Sequence, residues 1–288
     1  MDKIRKIDLH MHSTVSDGTD TPEEILGHVR EAGLDLFALT DHDAIRGCAV
    51  IRDLLGPEDP KFLCGAEFSC KDEDGKYHIL GYQYDPDSEA IRQLLDKGQQ
   101  FRMIKLEARL DYLKDMYNIT FPEEELAALR ARDNPGKPHI AALLVAHGYA
   151  ESIHQGIQEY LDGAPSHNQY VRPEEAIRGI LGGGGIPVLA HAPYGSGEEL
   201  IVGKELDQRL HKLVDFGLQG VEAFYSGFSP KLVAEMLLLA KKYDLYVTAG
   251  SDYHGKNKLI PLGDTNMGPL PILPEGMKRF LERALGEA

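Results

Sequence analysis

No apolar run in this chain approaches the roughly 20 residues that a membrane-spanning helix needs, which argues against a helical membrane protein. The first residues, Met1-Asp2-Lys3-Ile4-Arg5, lead straight into a strand-like segment with no hydrophobic region of a signal peptide, so a cytoplasmic location is expected. Cysteine is scarce: Cys48, Cys64 and Cys70 are odd in number and lack CxxC spacing, which disfavours a disulfide framework or a structural zinc site and leaves buried free thiols. Positive charge is also short. Lys and Arg total 31 against 46 Asp and Glu, a formal charge of −15. Such a surface is unsuited to long duplex nucleic acid or an anionic membrane. A phosphorylated small partner would need a local source of positive charge, which bound metals supply. There is no internal repeat and no low-complexity segment, and Gly182–Gly185 is no P-loop because no Lys-Ser/Thr follows it.

What is present is alternation of strand and helix. Lys6–Ser13 reads as a strand, and Thr21-Pro22-Glu23-Glu24 opens a helix, with Thr21 as N-cap and Gly33 as its stop. Further strands are expected at Leu36–Thr40, Phe62–Phe68 and Tyr77–Tyr84. From Ser88 to Leu161 the pattern turns helical: Met103, Leu106, Leu110, Leu113 and Tyr117 recur at three- and four-residue steps, and Pro122 and Pro138 look like helix starts. Alternation resumes with a helix from Pro173. Strands follow at Pro187–Ala190, Gln219–Phe224 and Leu245–Ala249, and helices at Leu206–Phe216, from Ser229-Pro230 and from Pro274. This is an α/β chain with a mainly parallel sheet and a helical insertion, and in such folds chemistry gathers at the C-terminal ends of strands.

Polar residues cluster at those ends. His10 and His12, two apart on a strand, leave the same face; alone, such a pair is more often incidental than a chelate. Asp17, in Ser16-Asp17-Gly18, is by itself an ordinary turn aspartate. The apolar strand Leu36–Leu39 runs directly into Asp41-His42-Asp43, a set too costly to bury without partners or a metal. Glu67 interrupts Phe62–Phe68, where a bridge between cations or a salt bridge to Arg would compensate it. His78 shares that ambiguity, His191 closes another strand, and Asp252 and His254 repeat the two-residue spacing. Individually these signals are weak or moderate. Together, six histidines (His10, His12, His42, His78, His191, His254) and three carboxylates (Asp17, Glu67, Asp252) suit two or three divalent ions. Such a site would be cationic inside an acidic protein, the setting a phosphate ester requires.

In these motifs the chain resembles the PHP (polymerase and histidinol phosphatase) superfamily. The likeness rests on Asp8-Leu9-His10-Met11-His12 through Ser16-Asp17-Gly18, Thr40-Asp41-His42-Asp43, Ala190-His191-Ala192-Pro193 and Ser251-Asp252-Tyr253-His254, with Glu67 and His78 at intervening ligand positions. The helical segment and Lys137-Pro138-His139-Ile140-Ala141, with Lys where an Arg-Pro-His-Ile-Ala element has Arg, are similar to the stand-alone nucleotide-acting branch. The resemblance implies a distorted seven-stranded β/α (TIM-like) barrel over residues 1–87 and 166–288, with 88–165 as the insertion. It also implies up to three ions of Mn, Fe or Zn. His10, His12, Glu67 and Asp252 would hold one, Glu67, His78 and His191 the second, and Asp17, His42 and His254 the third.

The reaction so implied is hydrolysis of a phosphate monoester by in-line attack of an activated water. Lys137, His139 and Arg172 are candidate substrate contacts. Asp41, Asp43, His139 and a metal-bound water are candidate proton donors, and the sequence does not choose among them. The implied substrate is a small phosphorylated nucleotide: a 3′,5′-bisphosphonucleotide losing its 3′-phosphate, or the end of a short oligonucleotide. Histidinol phosphate is the runner-up. An amidohydrolase, which would usually bridge its metals with a carboxylated lysine, and a catalytically silent regulatory module are more remote alternatives.

Overall fold

The computed structural model describes residues 4–165, 169–195, 200–268 and 272–286. Seven strands form one sheet in sequential order: β1 (Ile7–Asp8), β2 (Leu36–Leu39), β3 (Lys61–Lys71), β4 (Lys76–Tyr82), β5 (Ile186–Leu189), β6 (Gly220–Tyr225) and β7 (Tyr246–Gly250). The strands β2 and β5, Leu-Phe-Ala-Leu and Ile-Pro-Val-Leu, are buried along their whole length, as expected where helices cover a parallel sheet. The edges approach each other through Leu9 N–H, which donates to the Ala249 carbonyl at 2.9 Å, and a parallel bridge pairs Met11 with Tyr253. The sheet is thus a nearly closed barrel, with Phe37, Leu39, Phe68 and Tyr82 fully buried in its core. Each such large side chain contributes roughly 1.5–3 kcal/mol by leaving water.

Helices begin where the sequence says they should. α1 (Pro22–Ala32) carries a full capping box between Thr21 and Glu24 and stops at Gly33, whose φ of 62° suits glycine. A helix absent from the sequence reading, α2 (Arg46–Leu54), starts at Ile45 without a side-chain cap, so its entry leaves no local signature. The segment read as helical comprises α3 (Glu89–Tyr117), α4 (Glu123–Arg130), α5 (Lys137–Ala146) and α6 (Ile153–Gly156), the last running into a π-helical turn at Ile157–Leu161. Leu106 and Leu113 of α3 join Ile119, Phe121, Ile140, Leu144 and Leu161 in a second buried cluster, separate from the barrel core. The remaining helices are α7 (Pro173–Gly182), α8 (Gly203–Asp215), α9 (Pro230–Lys242) and α10 (Glu275–Leu285). Among the described residues, no helix is long and apolar enough to cross a membrane.

Two features depart from expectation. The first strand is two residues long rather than Lys6–Ser13, because beyond Asp8 the chain bonds alternately to its two neighbours instead of continuing one ladder. Thr40 N–H donates to the Met11 carbonyl, and His12 N–H to that of Tyr253. The sheet is also not uniformly parallel. β4 runs antiparallel to both β3 and β5, joined to β3 by the tight turn before Lys76. That reversal brings His78, near the start of β4, opposite Ser69 near the end of β3. It therefore reaches the barrel mouth from the opposite chain direction. The three cysteines are free and buried, as read.

Candidate metal centre

Glu67 lies at the middle of the site. Its carboxylate is 3.3 Å from His10 Nε2, 3.1 Å from His12 Nε2, 3.2 Å from His42 Nδ1, 2.9 Å from His78 Nδ1 and 3.2 Å from His191 Nε2. Asp252 Oδ1 stands 3.5 Å from His10 Nε2 and 3.4 Å from His12 Nε2. Asp17 approaches His254 Nε2 at 3.4 Å, His12 Nδ1 at 3.6 Å and His42 Nε2 at 3.9 Å. All nine side chains singled out in the sequence therefore meet at one mouth of the barrel. His10 and His12 are fully buried beneath, and the others line a cavity of about 980 Å³. Ligand-competent atoms fall into groups within 4.8 Å of one another, among them His10-His12-Glu67, His10-His191-Asp252, His42-Glu67-His78 and His12-Asp17-His42-His254.

The donor set fits divalent cations on the state of its lone pairs. His10 Nδ1 faces Glu222 Oε1 at 3.0 Å, and His254 Nδ1 faces the Asp252 carbonyl at 2.8 Å; both are acceptors, so these rings keep a proton on Nδ1 and turn Nε2 to the centre, where a cation would take the place of a second proton. Ser16 donates its hydroxyl proton to Asp41 at 2.7 Å and so can accept from His12 Nδ1, which fixes that ring the same way. His10 Nε2, His12 Nε2, His42 Nδ1 and Asp17 Oδ1 are buried with no hydrogen-bond partner. Buried polar atoms are rarely left so, and a group of them aimed at one point calls for a cation. Burial alone would push the Glu67 carboxyl up, yet His78, His10 and His42 hold it well below the usual carboxylate range. Asp252 is also held low: burial raises it, but Lys258, His10 and His254 prevail.

Local backbone serves this convergence. His191 adopts φ 25° and Asp252 φ 57°, values unusual for residues with a β-carbon. A Cβ on Gly250 would fall 2.3 Å from His10 Cβ and 2.2 Å from Glu222 Oε1, so glycine alone lets β7 pass this close.

Other expected site residues are placed elsewhere. Asp41 accepts from Ser13 N–H and Ser13 Oγ, both at 2.8 Å, and from Ser16 Oγ; it shapes the loop behind His12 rather than facing the cavity. Asp43 is paired with Arg102 Nε at 2.7 Å and accepts from Ser69 N–H. Lys137 lines a smaller cavity beside the main one and pairs with Asp162 at 2.6 Å, whereas Arg172 pairs with Glu73 on the surface, outside both cavities. His139 accepts from Gly136 N–H at 3.0 Å through Nδ1. Burial and neighbouring Arg132 pull its pKa down to about 4, so the ring is neutral at pH 7 with its proton on Nε2.

Sequence reasoning missed Glu222, Lys258 and the group Arg102, Lys105 and Arg109. Glu222 interrupts an apolar strand just as Glu67 does, and that signal was available. It is fully buried, and its second oxygen accepts the His191 N–H at 2.8 Å, so it orients candidate ligands just after β1 and just after β5 together. Glutamine at 222 would have to turn its NH₂ toward one of two donors. Glu222→Gln should lower metal affinity about 10–100-fold, read as metal retained after dialysis against graded chelator; unchanged retention would show that His10 needs no such partner.

A barrel with bare imidazoles and carboxylates gathered round a single acidic hub defines a metal-dependent phosphoesterase. The chain belongs to the PHP domain family, whose model matches residues 8–172. It is 32% identical over 260 residues to a phosphoribosyl 1,2-cyclic phosphate 1,2-diphosphodiesterase from Eggerthella lenta, covering 88% of this chain and 96% of that one. It is 31% identical over 286 residues to a 3′,5′-nucleoside bisphosphate phosphatase from Chromobacterium violaceum, covering 94% and 93%. Among solved structures, a protein from Bifidobacterium adolescentis, provisionally named a metal-dependent phosphoesterase, superposes with a TM-score of 0.79 at 29% identity over 96% of each chain.

Proposed function

We propose that this chain releases phosphate from a small phosphorylated nucleotide. The substrate would be a 3′,5′-bisphosphonucleotide losing its 3′-phosphate, or a short oligonucleotide trimmed from its 5′ end. The observation that carries the reading is the single carboxylate, Glu67, standing 2.9–3.3 Å from five imidazoles at the floor of an open cavity. On this reading residues 1–87 and 166–288 are the catalytic barrel and 88–165 an insertion that walls the cavity. The nine residues named above are the ligands of two or three ions of Mn, Fe or Zn. When bound, such ions supply Lewis acidity to the phosphate and lower the pKa of the attacking water.

The chain's own residues do the rest. Glu222, Ser16 and the Asp252 carbonyl hold the imidazole tautomers. Tyr194, Tyr225, Ile153 and Ile157 give the cavity apolar and aromatic walls that suit a nucleoside better than an amino alcohol. Asp41 and Asp43 are engaged with Ser13, Ser16 and Arg102, and His139 lines neither cavity. The bridging position is held by a carboxylate, Glu67, rather than a carboxylated lysine, which disfavours the amidohydrolase alternative.

Relatives of near-equal identity are named for different phosphate esters, so a substrate panel decides. Manganese-loaded protein should release phosphate from a 3′,5′-bisphosphonucleoside at least ~10-fold faster than from histidinol phosphate, in line with what a few lost contacts cost. Stripping the metal with chelator should abolish turnover, and metal should restore it. Faster turnover of histidinol phosphate, or turnover of an amide only, would sink this reading.

A further inference from the structure

Beside the main cavity lies a smaller recess of about 210 Å³ that shares Asp17, His42 and His78 with it as a common wall. Its far side is basic. Arg102, Lys105 and Arg109, at i, i+3 and i+7 on α3, all line it, and Lys76 joins them from β4. Arg102 is engaged with Asp43 and Ser69. Among the described residues, neither Lys105 nor Arg109 forms a salt bridge. Lys105 is only 6% exposed, with its Nζ 4.0 Å from the centre of the Tyr170 ring.

Lys105 and Arg109, drawn in from water beside Arg102 with no salt bridge of their own, are costly to hold there, and a chain of net charge −15 has no shortage of carboxylates with which to relieve them. Burial, with Arg102 next in effect, pushes the Lys105 ammonium down to about 7, and burial lowers Arg109 too. An arrangement kept at such cost fits a dianion that arrives with the substrate. Arg offers paired donors to phosphate oxygens and Lys a point charge.

We propose that this recess is a second phosphate subsite, in which Arg102, Lys105, Arg109 and Lys76 hold a phosphate of the substrate that is not cleaved. The inference rests on the reading of the metal centre as the place where the scissile phosphate binds, and it makes the substrate a molecule with two phosphate groups. The helical segment then selects the substrate while the barrel performs the reaction.

The test compares wild type, Lys105→Met and Arg109→Gln, each metal-loaded, on a 3′,5′-bisphosphonucleoside and on the matching nucleoside 3′-monophosphate. The ratio of kcat/KM between the two substrates should fall about 10–100-fold in each variant, carried mainly by KM, as expected for loss of a charged hydrogen bond. A ratio that holds while both rates drop would mark a structural role and overturn the proposal, as would variants that match wild type on both. Calorimetric titration of adenosine 5′-monophosphate into the same proteins reads the subsite without turnover. Affinity at least ~10-fold weaker in folded variants supports it, and equal affinity refutes it. Should wild type cleave no nucleotide at all, the functional reading fails and this titration still decides the subsite.

Discussion

Glu67→Gln should reduce phosphate release by at least ~10³-fold, comparable to removing a principal electrostatic element of an active site, and should leave the purified protein with less bound metal. The substitution changes almost nothing in volume. What it removes is the negative charge that five imidazoles share at 2.9–3.3 Å, and it sets an NH₂ against nitrogens that present lone pairs. Metal analysis and turnover should fall together, and added manganese should not restore wild-type rates. The fold should survive, because the hub holds no strand in register: the β3–β4 ladder is made by backbone groups from Gly65 to Lys71. A Glu67→Gln protein with wild-type turnover would show that the convergence is a packing accident.

The second large effect concerns stability. Lys105→Met should raise the melting temperature at pH 6. The folded protein holds this ammonium near 7 against an ordinary value of 10.5. Below pH 7 both folded and unfolded chains carry the proton, and the folded state bears the full cost of burying it. Between 7 and 10.5 the unfolded chain still binds the proton while the folded chain has released it, so wild-type stability rises with pH across that window. The shift corresponds to roughly 3–5 kcal/mol as an upper bound. A gain of several degrees at pH 6 is therefore expected, since about 1 kcal/mol moves a chain of this size by roughly 2–4 °C. The gain should shrink toward pH 10. Thermal melts at both pH values decide it, and a variant that melts lower at pH 6 would contradict the assigned burial cost. Greater stability with poorer selection of substrate is the exchange a functional cation in a dry place produces.

How far the sequence could be read depended on whether a signal was local. His10 with His12, and Asp252 with His254, were legible because ligands two apart on extended chain share a face. Glu67 was legible as an anomaly because a carboxylate inside Phe62–Phe68 needs compensation, although a salt bridge to Arg would have explained it as well as a bridge between cations. Glu222 offered the same anomaly within Gly220–Tyr225 and was passed over because no neighbouring histidine drew the eye to it. The direction of β4 could not be read at all. A short apolar strand looks alike in either orientation, and only the pairing of Ser69 with His78 reveals the hairpin. The cations of α3 were hidden in plain view. The apolar face at Leu106 and Leu113 sets the helical period, and nothing in residue type alone distinguishes the basic residues beside it from solvated charge; only the fold shows that they line the recess. Arg172 shows the converse: residue type suggested a phosphate contact, while Glu73 claims its charge outside both cavities.

The barrel seam has a consequence for how the protein comes into being. Leu9 bonds to Ala249, and the candidate ligands run from His10 to His254, so the ring is sealed between the first and last strands of the sheet. During synthesis the β3–β4 hairpin can pair early, whereas the seam must wait for the last strand. A ribosome-bound chain that stops short of residue 250 would carry Glu67 with only part of its imidazole shell. Ion capture, and with it any hydrolytic capacity, is then deferred until the seventh strand and the segment to His254 have been made.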